Sequence, residues 1–176
     1  MVKSTERKEV AFYCLAWIWG GLFVLLKGNL LNLMGGSYLD LDLLSILIAY
    51  ILLCYGPMRA STYAFGQGLL TDLFSGGLHG LYTFLYLVVF FGIFVSCRFF
   101  SLQHPKAQIL IVSVAILLKN TMFVVILSVF SQKILLVNSF VWMSIGSIVM
   151  TSLTAPAFFF LFDQMRVVSE KETPAL

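Results

Sequence analysis

The sequence contains few charged residues for its length. Its 176 residues include 11 Lys and Arg and 8 Asp and Glu, so charged residues make up 11% of the chain, whereas 60% is hydrophobic. An average soluble domain is about 25% charged and about 45–50% apolar. The chain therefore lacks the polar surface that a soluble enzyme, a disordered tail or a basic nucleic-acid-binding domain requires. We expect a polytopic membrane protein with no nucleic-acid partner.

The usual signatures of metal, nucleotide and nucleophilic chemistry are also missing. The three cysteines are far apart and show no C-x-x-C spacing, so neither a disulfide framework nor a zinc site is indicated. Gly66-Gln67-Gly68 lacks the third glycine of a dinucleotide fingerprint, and no phosphate-binding loop follows it. No serine, histidine and acidic residue form a recognisable triad. We therefore expect no enzyme activity, no metal and no cofactor.

Apolar runs fill most of the sequence. Six segments can be drawn, at about 10–26, 41–55, 60–74, 80–97, 107–130 and 137–162. A membrane span takes about 20 apolar residues, and Gly56-Pro57 ends the second segment because proline interrupts a helix. The prediction is an all-α integral membrane protein with six transmembrane helices. It has a cytoplasmic N-terminal segment (1–9), a single membrane domain (10–162) and a cytoplasmic tail (163–176).

The basic residues predict the orientation. With six spans and a cytoplasmic N-terminus, eight of the 11 basic residues fall on the inner side, Lys27 and Lys133 fall outside, and Lys119 lies within a span. This bias agrees with the positive-inside rule. It favours six spans over five, because five spans would place the C-terminal tail outside.

The second and third segments are short for membrane spans. About 15 residues make a helix of about 22 Å, whereas the hydrocarbon core is about 30 Å thick. The third segment is also the least hydrophobic, since it contains Gln67, Thr71 and Asp72. Neighbouring helices can supply partners for such polar groups. We therefore expect the third segment to lie at the centre of the bundle.

A four-residue repeat runs through the third segment and the turn after it. The repeating positions are small apart from the aspartate: Ala60, Ala64, Gly68, Asp72, Gly76 and Gly80. Stripes of small residues let helix backbones approach closely in a membrane. The run 75–80 is too rich in glycine to continue a helix and predicts an outer turn. One interpretation is helix packing followed by a turn; the other is a corner that binds a partner or a ligand.

Asp72 and Lys119 are the two charged residues that can be assigned neither to the end of a predicted span nor to a loop. Each lies 12 residues from the inner end of its segment, counted from Ala60 and Ala107, or about 18 Å of helix. Because charges are costly in hydrocarbon, an intramembrane ion pair between them is one interpretation. The alternative is that Lys119 extends to the interface and Asp72 caps the outer turn.

A longer motif surrounds Asp72. Asp42-Leu43-Leu44 opens the second segment, Gly56-Pro57 closes it, and the run from Gly66 to Tyr82 contains the pattern G-x-x-x-D-L-x-S-G-x-x-x-G-L. The motif residues are Gly66, Gly68, Asp72, Ser75, Gly76, Gly80 and Leu81. On these residues the stretch 42–86 resembles the rod shape-determining protein MreD family. Gly77-Leu78-His79 is an unusual filling of the turn, and Lys119 matches no motif of that family.

The resemblance implies a multi-pass protein of the bacterial inner membrane without catalytic activity. Its implied partners are an MreC-like scaffold protein, a RodA-type polymerase and an MreB-type filament, in the machinery that elongates the cell and directs peptidoglycan synthesis. It also implies a bundle like the substrate-binding subunits of energy-coupling-factor transporters. The alternative function is therefore such a vitamin-binding subunit, with a ligand beneath the outer turn near Asp72 and Lys119.

Overall fold

The computed structural model describes residues 13–26, 42–75, 80–99, 105–130 and 138–171. These ranges form five helices and no strand: α1 (Tyr13–Leu26), α2 (Leu43–Ser75), α3 (Leu81–Ser96), α4 (Pro105–Phe130) and α5 (Asn138–Lys171). Three helical stretches are long and apolar enough to cross a membrane, namely Leu43–Ser75, Lys106–Ile126 and Ser144–Met165. The predicted all-α class is confirmed for these residues, and the fold is compatible with a membrane helical bundle.

Most predicted segments correspond to helices of similar extent. The first, fourth, fifth and sixth segments match α1, α3, α4 and α5. The sixth prediction ended too early, because α5 continues from Phe162 to Lys171 and so enters the predicted tail. The predicted N-terminal segment, 1–9, lies outside the described residues.

The second and third segments form the single long helix α2, which is interrupted at one residue. Gly56 has φ 82° and ψ 177°, a backbone conformation that is open to glycine and strained for other residues. Pro57 follows and cannot donate a backbone hydrogen bond to the preceding turn. The interruption therefore falls where the sequence predicted it. We call residues 43–55 the N-arm of α2 and residues 57–75 its C-arm.

The two arms fold back on each other. Asp42, immediately before the N-arm, lies 3.5 Å from the Tyr86 hydroxyl of α3, and Asp72 of the C-arm lies 2.9 Å from the Thr83 backbone nitrogen. Thr83 and Tyr86 are about 5 Å apart along α3, whereas a straight helix would separate the two aspartates by about 45 Å. The N-arm and C-arm must therefore run antiparallel about Gly56.

Helix α1 packs beside the C-arm and runs parallel to it. The Tyr13 hydroxyl donates to the carbonyl oxygen of Arg59 at 3.1 Å, near the start of the C-arm. Two turns further along the C-arm and one turn further along α1, Gln67 Nε2 donates to the carbonyl oxygen of Trp17 at 3.2 Å. The contacts advance in the same direction along both helices.

Helix α5 packs beside the N-arm, and α4 lies beside α3. The Tyr50 ring of the N-arm lies 5.6 Å from the Phe159 ring and 5.3 Å from the Phe162 ring of α5. Gly92 of α3 faces the side chain of Leu118 in α4. Each helix thus packs against the next helix in the chain, and the N-arm lies between these helices.

The N-arm, and not the third predicted segment, forms the centre of the bundle. Its residues 43–52 are all buried, on every side of the helix. The C-arm buries one face, while its other face leaves Met58 and Leu73 exposed at 82% and 73%. A helix that is hydrophobic on all sides is buried. The low hydrophobicity of the third segment was a poorer guide to the centre than the uniform apolar surface of the second.

Candidate functional site

Asp42 is the centre of a buried polar cluster at the start of α2. Its side chain is fully buried and accepts hydrogen bonds from the Ser45 hydroxyl at 2.7 Å and the Ser45 backbone N–H at 3.4 Å. Ser45 is the third residue of α2, so Asp42 caps the N-terminus of its own helix. The Asp42 backbone N–H donates to the Thr151 hydroxyl of α5 at 3.2 Å.

Lys119 of α4 completes this cluster as the counter-ion. Its ammonium group forms a salt bridge with Asp42 Oδ2 and lies 5.5 Å from the centre of the Tyr86 ring. The two side chains are 12% and 1% exposed, so the pair is largely removed from solvent. The Tyr86 hydroxyl approaches Asp42 Oδ1 at 3.5 Å. We call these residues the Asp42 cluster; they join α2, α3, α4 and α5.

Asp72 occupies a second site, where it caps a helix other than its own. Its carboxylate accepts the backbone N–H of Tyr82 and of Thr83, both at 2.9 Å, and the Thr83 hydroxyl at 2.5 Å. These are groups of the first turn of α3, whose N-cap residue Gly80 provides no side-chain cap. Backbone N–H groups in a first turn lack partners within the helix. Asp72 of the C-arm supplies partners for two of them.

The predicted ion pair between Asp72 and Lys119 is therefore wrong. Lys119 pairs with Asp42, and Asp72 is engaged by the N-terminus of α3. The alternative for Asp72, a cap on the outer turn, matches the geometry. The alternative for Lys119, extension to the interface, does not, because its ammonium group is held within the bundle.

Distance along the helices could not show whether Asp42 or Asp72 is the partner of Lys119. Asp42 lies 14 residues before Gly56, Asp72 lies 16 residues after it, and Lys119 lies 14 residues after Pro105. At 1.5 Å per residue these distances are all about 21–24 Å. Counting back from the Gly56 break would have identified Asp42 as a second candidate. Asp42 lies at the end of the predicted second segment, where a charge needs no partner within the membrane.

The motif glycines permit close helix contacts. A Cβ atom at Gly68 would lie 2.5 Å from the Thr83 Cα atom, so the C-arm and α3 touch backbone to backbone there. A Cβ atom at Gly66 would overlap the Trp17 indole of α1. Gly68 thus brings the C-arm close enough for Asp72 to reach α3. The packing interpretation of the stripe agrees with these contacts, whereas binding of a partner stays a prediction.

The rest of the motif lies at the turn into α3. Gly80 has φ 91°, a left-handed conformation suited to glycine, and its carbonyl oxygen accepts the Phe84 N–H at 3.0 Å. The Ser75 hydroxyl donates to the Asp72 carbonyl oxygen at 3.3 Å. Leu81 is the first residue of α3. Gly76 lies outside the described residues.

A second polar contact joins α1 to the C-arm. The Tyr63 hydroxyl donates to the Ala16 carbonyl oxygen at 3.2 Å, and Gln67 Nε2 donates to the Trp17 carbonyl oxygen. Gly20 of α1 leaves room for both side chains. The Gln67 Oε1 atom, like Asn120 Nδ2 on α4, is buried and has no hydrogen-bond partner among the residues that the structure describes.

These sites are suited to holding helices together. Each aspartate is surrounded by donors, so neither carboxylate is positioned as a free base. Within the described ranges, no group of three or more His, Cys, Asp or Glu residues is arranged to hold a metal ion.

In comparisons with known proteins, the chain matches no protein-family model, no curated protein and no solved structure.

Proposed function

We propose that this chain is a non-catalytic component of the machinery that elongates bacterial cells. In this proposal it crosses the inner membrane six times, with α1, the two arms of α2, α3, α4 and α5 as its spans, and both termini lie in the cytoplasm. It helps to couple an MreC-like scaffold protein and an MreB-type filament to a RodA-type polymerase, and so maintains cell shape.

The observation that supports this proposal is the joint role of the motif residues. Gly68 permits close approach, Asp72 caps α3, and Gly80 adopts the left-handed conformation at the turn. Within the pattern that resembles the MreD family, Gly68, Asp72 and Gly80 thus serve one structural unit, the hairpin of the C-arm and α3. Residues that serve one hairpin are a stronger basis for a resemblance than scattered identities.

The same hairpin offers a surface for a partner helix. Phe65, Leu69 and Leu73 follow each other at four-residue intervals on the C-arm and are 48%, 42% and 73% exposed. Side chains at this spacing lie on one face of a helix. An MreC-like scaffold that crosses the membrane as a helix would pack against this face, which we call the C-arm face.

Site-specific crosslinking tests this placement. Cysteines at Phe65, Leu69 and Leu73 are introduced into a variant that lacks Cys14, Cys54 and Cys97, and are crosslinked in living cells. Matched controls are cysteines at Val149 and Leu153, which are 54% and 66% exposed on α5. We expect crosslinks to the MreC-like protein from the C-arm face and not from α5. Absence of crosslinks to any elongation protein from every position would contradict the proposal.

The effect on cell shape provides a second test. Depletion of the protein from a rod-shaped host should produce round cells, and the wild-type chain should restore rods. Variants of Asp72 that disrupt the hairpin should not. If the cells stay rod-shaped after complete depletion, the protein is not a required component of the elongation machinery.

The predicted orientation is tested by reporter fusions. A fluorescent protein fused to the C-terminus should fluoresce, and a phosphatase that works only outside the cytoplasm should be inactive at the same position. The reverse result would place the C-terminus outside the cytoplasm and contradict the predicted orientation.

The vitamin-binding alternative rests on a different observation. The buried Gln67 Oε1 and Asn120 Nδ2 atoms have no hydrogen-bond partner within the described part of the chain, and a bound polar molecule could supply one to either atom. This function predicts that a small molecule copurifies with the detergent-solubilised protein and is lost in Gln67→Leu. Mass spectrometry of the denatured sample would identify it, and an empty wild-type protein would dismiss this alternative.

A further inference from the structure

The Gln67 side chain is fully buried between the C-arm and α1, yet only one of its two polar atoms is bonded. Its Nε2 atom donates to the Trp17 carbonyl oxygen at 3.2 Å. Its Oε1 atom has no donor in the part of the chain that the structure describes. Turning the amide round would place its oxygen against the Trp17 carbonyl oxygen. The contact with Trp17 therefore identifies Oε1 as the atom that needs a donor.

A buried amide oxygen without a donor is rare and costly in a folded protein. The large majority of buried side-chain polar atoms bond to the protein or to an ordered water molecule. An acceptor left unpaired reduces the folding equilibrium constant about five- to hundredfold. Inside an apolar bundle no bulk water relieves this cost. The Oε1 atom of Gln67 therefore indicates a bound molecule that carries a hydrogen-bond donor.

The close contact between α1 and the C-arm limits the size of that molecule. A Cβ atom at Gly20 of α1 would overlap the Tyr63 hydroxyl oxygen and would lie 2.8 Å from Gln67 Cδ. A Cβ atom at Gly66 would overlap the Trp17 indole on the same pair of helices. A ligand as large as a vitamin would have to push α1 away from the C-arm. A donor of the size of a single water molecule would not.

The Tyr63 hydroxyl provides a second acceptor beside Gln67. Both side chains lie next to the position that a Cβ atom at Gly20 would take, so their polar ends are neighbours. The Tyr63 hydroxyl gives its proton to the Ala16 carbonyl oxygen at 3.2 Å, and its oxygen keeps the capacity to accept. The groups at this contact are uncharged and do not favour an ion. Water fits them, because it has two donor hydrogens and buried waters typically make two to four bonds.

We propose that Gln67 Oε1 and Tyr63 Oη bind one water molecule between the C-arm and α1. The water donates a hydrogen bond to each oxygen and so joins the two side chains. It adds to the direct bonds by which these side chains hold the Ala16 and Trp17 carbonyl oxygens of α1. The site does not depend on a role in cell elongation, so it can be tested separately.

Infrared difference spectroscopy of the full-length protein in detergent micelles tests the site. The spectrum of the wild type minus that of Gln67→Met isolates the Gln67 side-chain carbonyl band, whose frequency falls when the oxygen accepts a hydrogen bond. We expect the hydrogen-bonded frequency in the wild type and an upward shift in Tyr63→Phe. Tyr13→Phe is the matched control, because it removes a phenol that bonds the Arg59 carbonyl oxygen between the same two helices, and it should leave the band unchanged. A band at the free-carbonyl frequency in the wild type, or one that Tyr63→Phe does not move, would overturn the proposal.

The stability of Gln67→Met provides a second readout with a predicted sign. If the water is bound, this substitution removes two hydrogen bonds, those of Nε2 and of Oε1, and should raise the unfolding equilibrium constant about thirtyfold. If Oε1 has no donor, the substitution removes an unpaired acceptor, and the unfolding constant should stay the same or fall. That result would contradict the proposal. So would a larger molecule that copurifies with the wild type and is lost in Gln67→Met.

Discussion

Asp42 and Asp72 lie at the same end of the bundle and both cap a helix N-terminus, but their environments differ. Asp42 is paired with the cation Lys119, accepts the hydroxyl of Ser45 in its own helix, and lies near the Tyr86 hydroxyl of α3. Asp72 has no cation among the described residues and is held by two backbone N–H groups and one hydroxyl group. One carboxylate is neutralised by a full charge, the other by the end of a helix.

The two aspartate sites also differ in which helices they connect. The Asp42 cluster connects helices that are distant in sequence, since Asp42 and Lys119 are 77 positions apart. Asp72 and Thr83 are only 11 positions apart and belong to one hairpin. Loss of Asp42 should therefore disturb the whole bundle, whereas loss of Asp72 should disturb the C-arm and α3.

Asp42→Ala should be the most damaging substitution. It leaves the Lys119 ammonium group buried without a counter-ion and removes the cap of α2, and unpaired buried charges cost about 3–5 kcal/mol. The free energy of unfolding in mixed detergent micelles measures the loss. A change below that of Asp72→Ala would contradict the ranking of the two sites.

Double-mutant cycles then identify the partner of Lys119. Asp42→Asn combined with Lys119→Met should be more stable than the sum of the single effects predicts, by about 2 kcal/mol, because neither charge is left alone. Asp72→Asn combined with Lys119→Met should be additive within about 0.5 kcal/mol. The opposite pattern would show that Lys119 pairs with Asp72 and not with Asp42.

Asp72→Ala should cost about 1–2 kcal/mol, the usual value for loss of an N-cap. The loss should be local, so hydrogen exchange should accelerate in the first turn of α3 and not at Thr151. Equal acceleration in α5 would show that the Asp72 site is not confined to the hairpin.

Gly68→Ala tests the close approach that brings Asp72 to α3. The added Cβ atom meets the Thr83 backbone and should destabilise the hairpin by about 1–3 kcal/mol. Gly146→Ala on α5 is the matched control, because no atom of the described residues lies within 4 Å of its added Cβ. The control should be neutral or stabilising by up to about 1 kcal/mol, since alanine favours helix. Thermal unfolding of both variants in the same detergent makes the comparison.

The smallest effects should come from removing one hydroxyl at each site. The Thr83 hydroxyl lies 2.5 Å from Asp72, whereas the Tyr86 hydroxyl lies 3.5 Å from Asp42. Thr83→Val should cost about 0.5–1 kcal/mol, because two backbone N–H groups still hold Asp72, and Tyr86→Phe less than about 0.5 kcal/mol, because a long hydrogen bond contributes little. A larger loss in Tyr86→Phe would show that the phenol contributes more to the Asp42 cluster than its distance indicates.

Local signals in the sequence predicted several features correctly. Gly56-Pro57 marked the break in α2, because the conformation at Gly56 and the missing N–H of Pro57 are properties of those residues themselves. The four-residue repeat marked the buried face of the C-arm, where Ala60, Ala64 and Gly68 are buried. Both features depend on chain neighbours alone.

The partner of Lys119 could not be predicted in this way. Asp42 and Asp72 lie at nearly the same distance along their arms of α2 from Gly56. The position of a residue along its own helix does not show which other helix packs beside that residue. The same limit applies to the centre of the bundle. The low hydrophobicity of the C-arm was visible, but which arm the other helices surround depends on how all of them pack.

The sequence by itself determined the helical character of the chain, the break at Gly56 and the small number of charges away from helix ends. These properties follow from backbone conformation and from the free energy of placing charge in an apolar environment, which act residue by residue. Only the tertiary structure decided that Asp42 neutralises Lys119 and that Asp72 caps α3. That choice depends on the order of helices around α2, since a salt bridge or a cap forms only between groups that packing brings within about 3 Å.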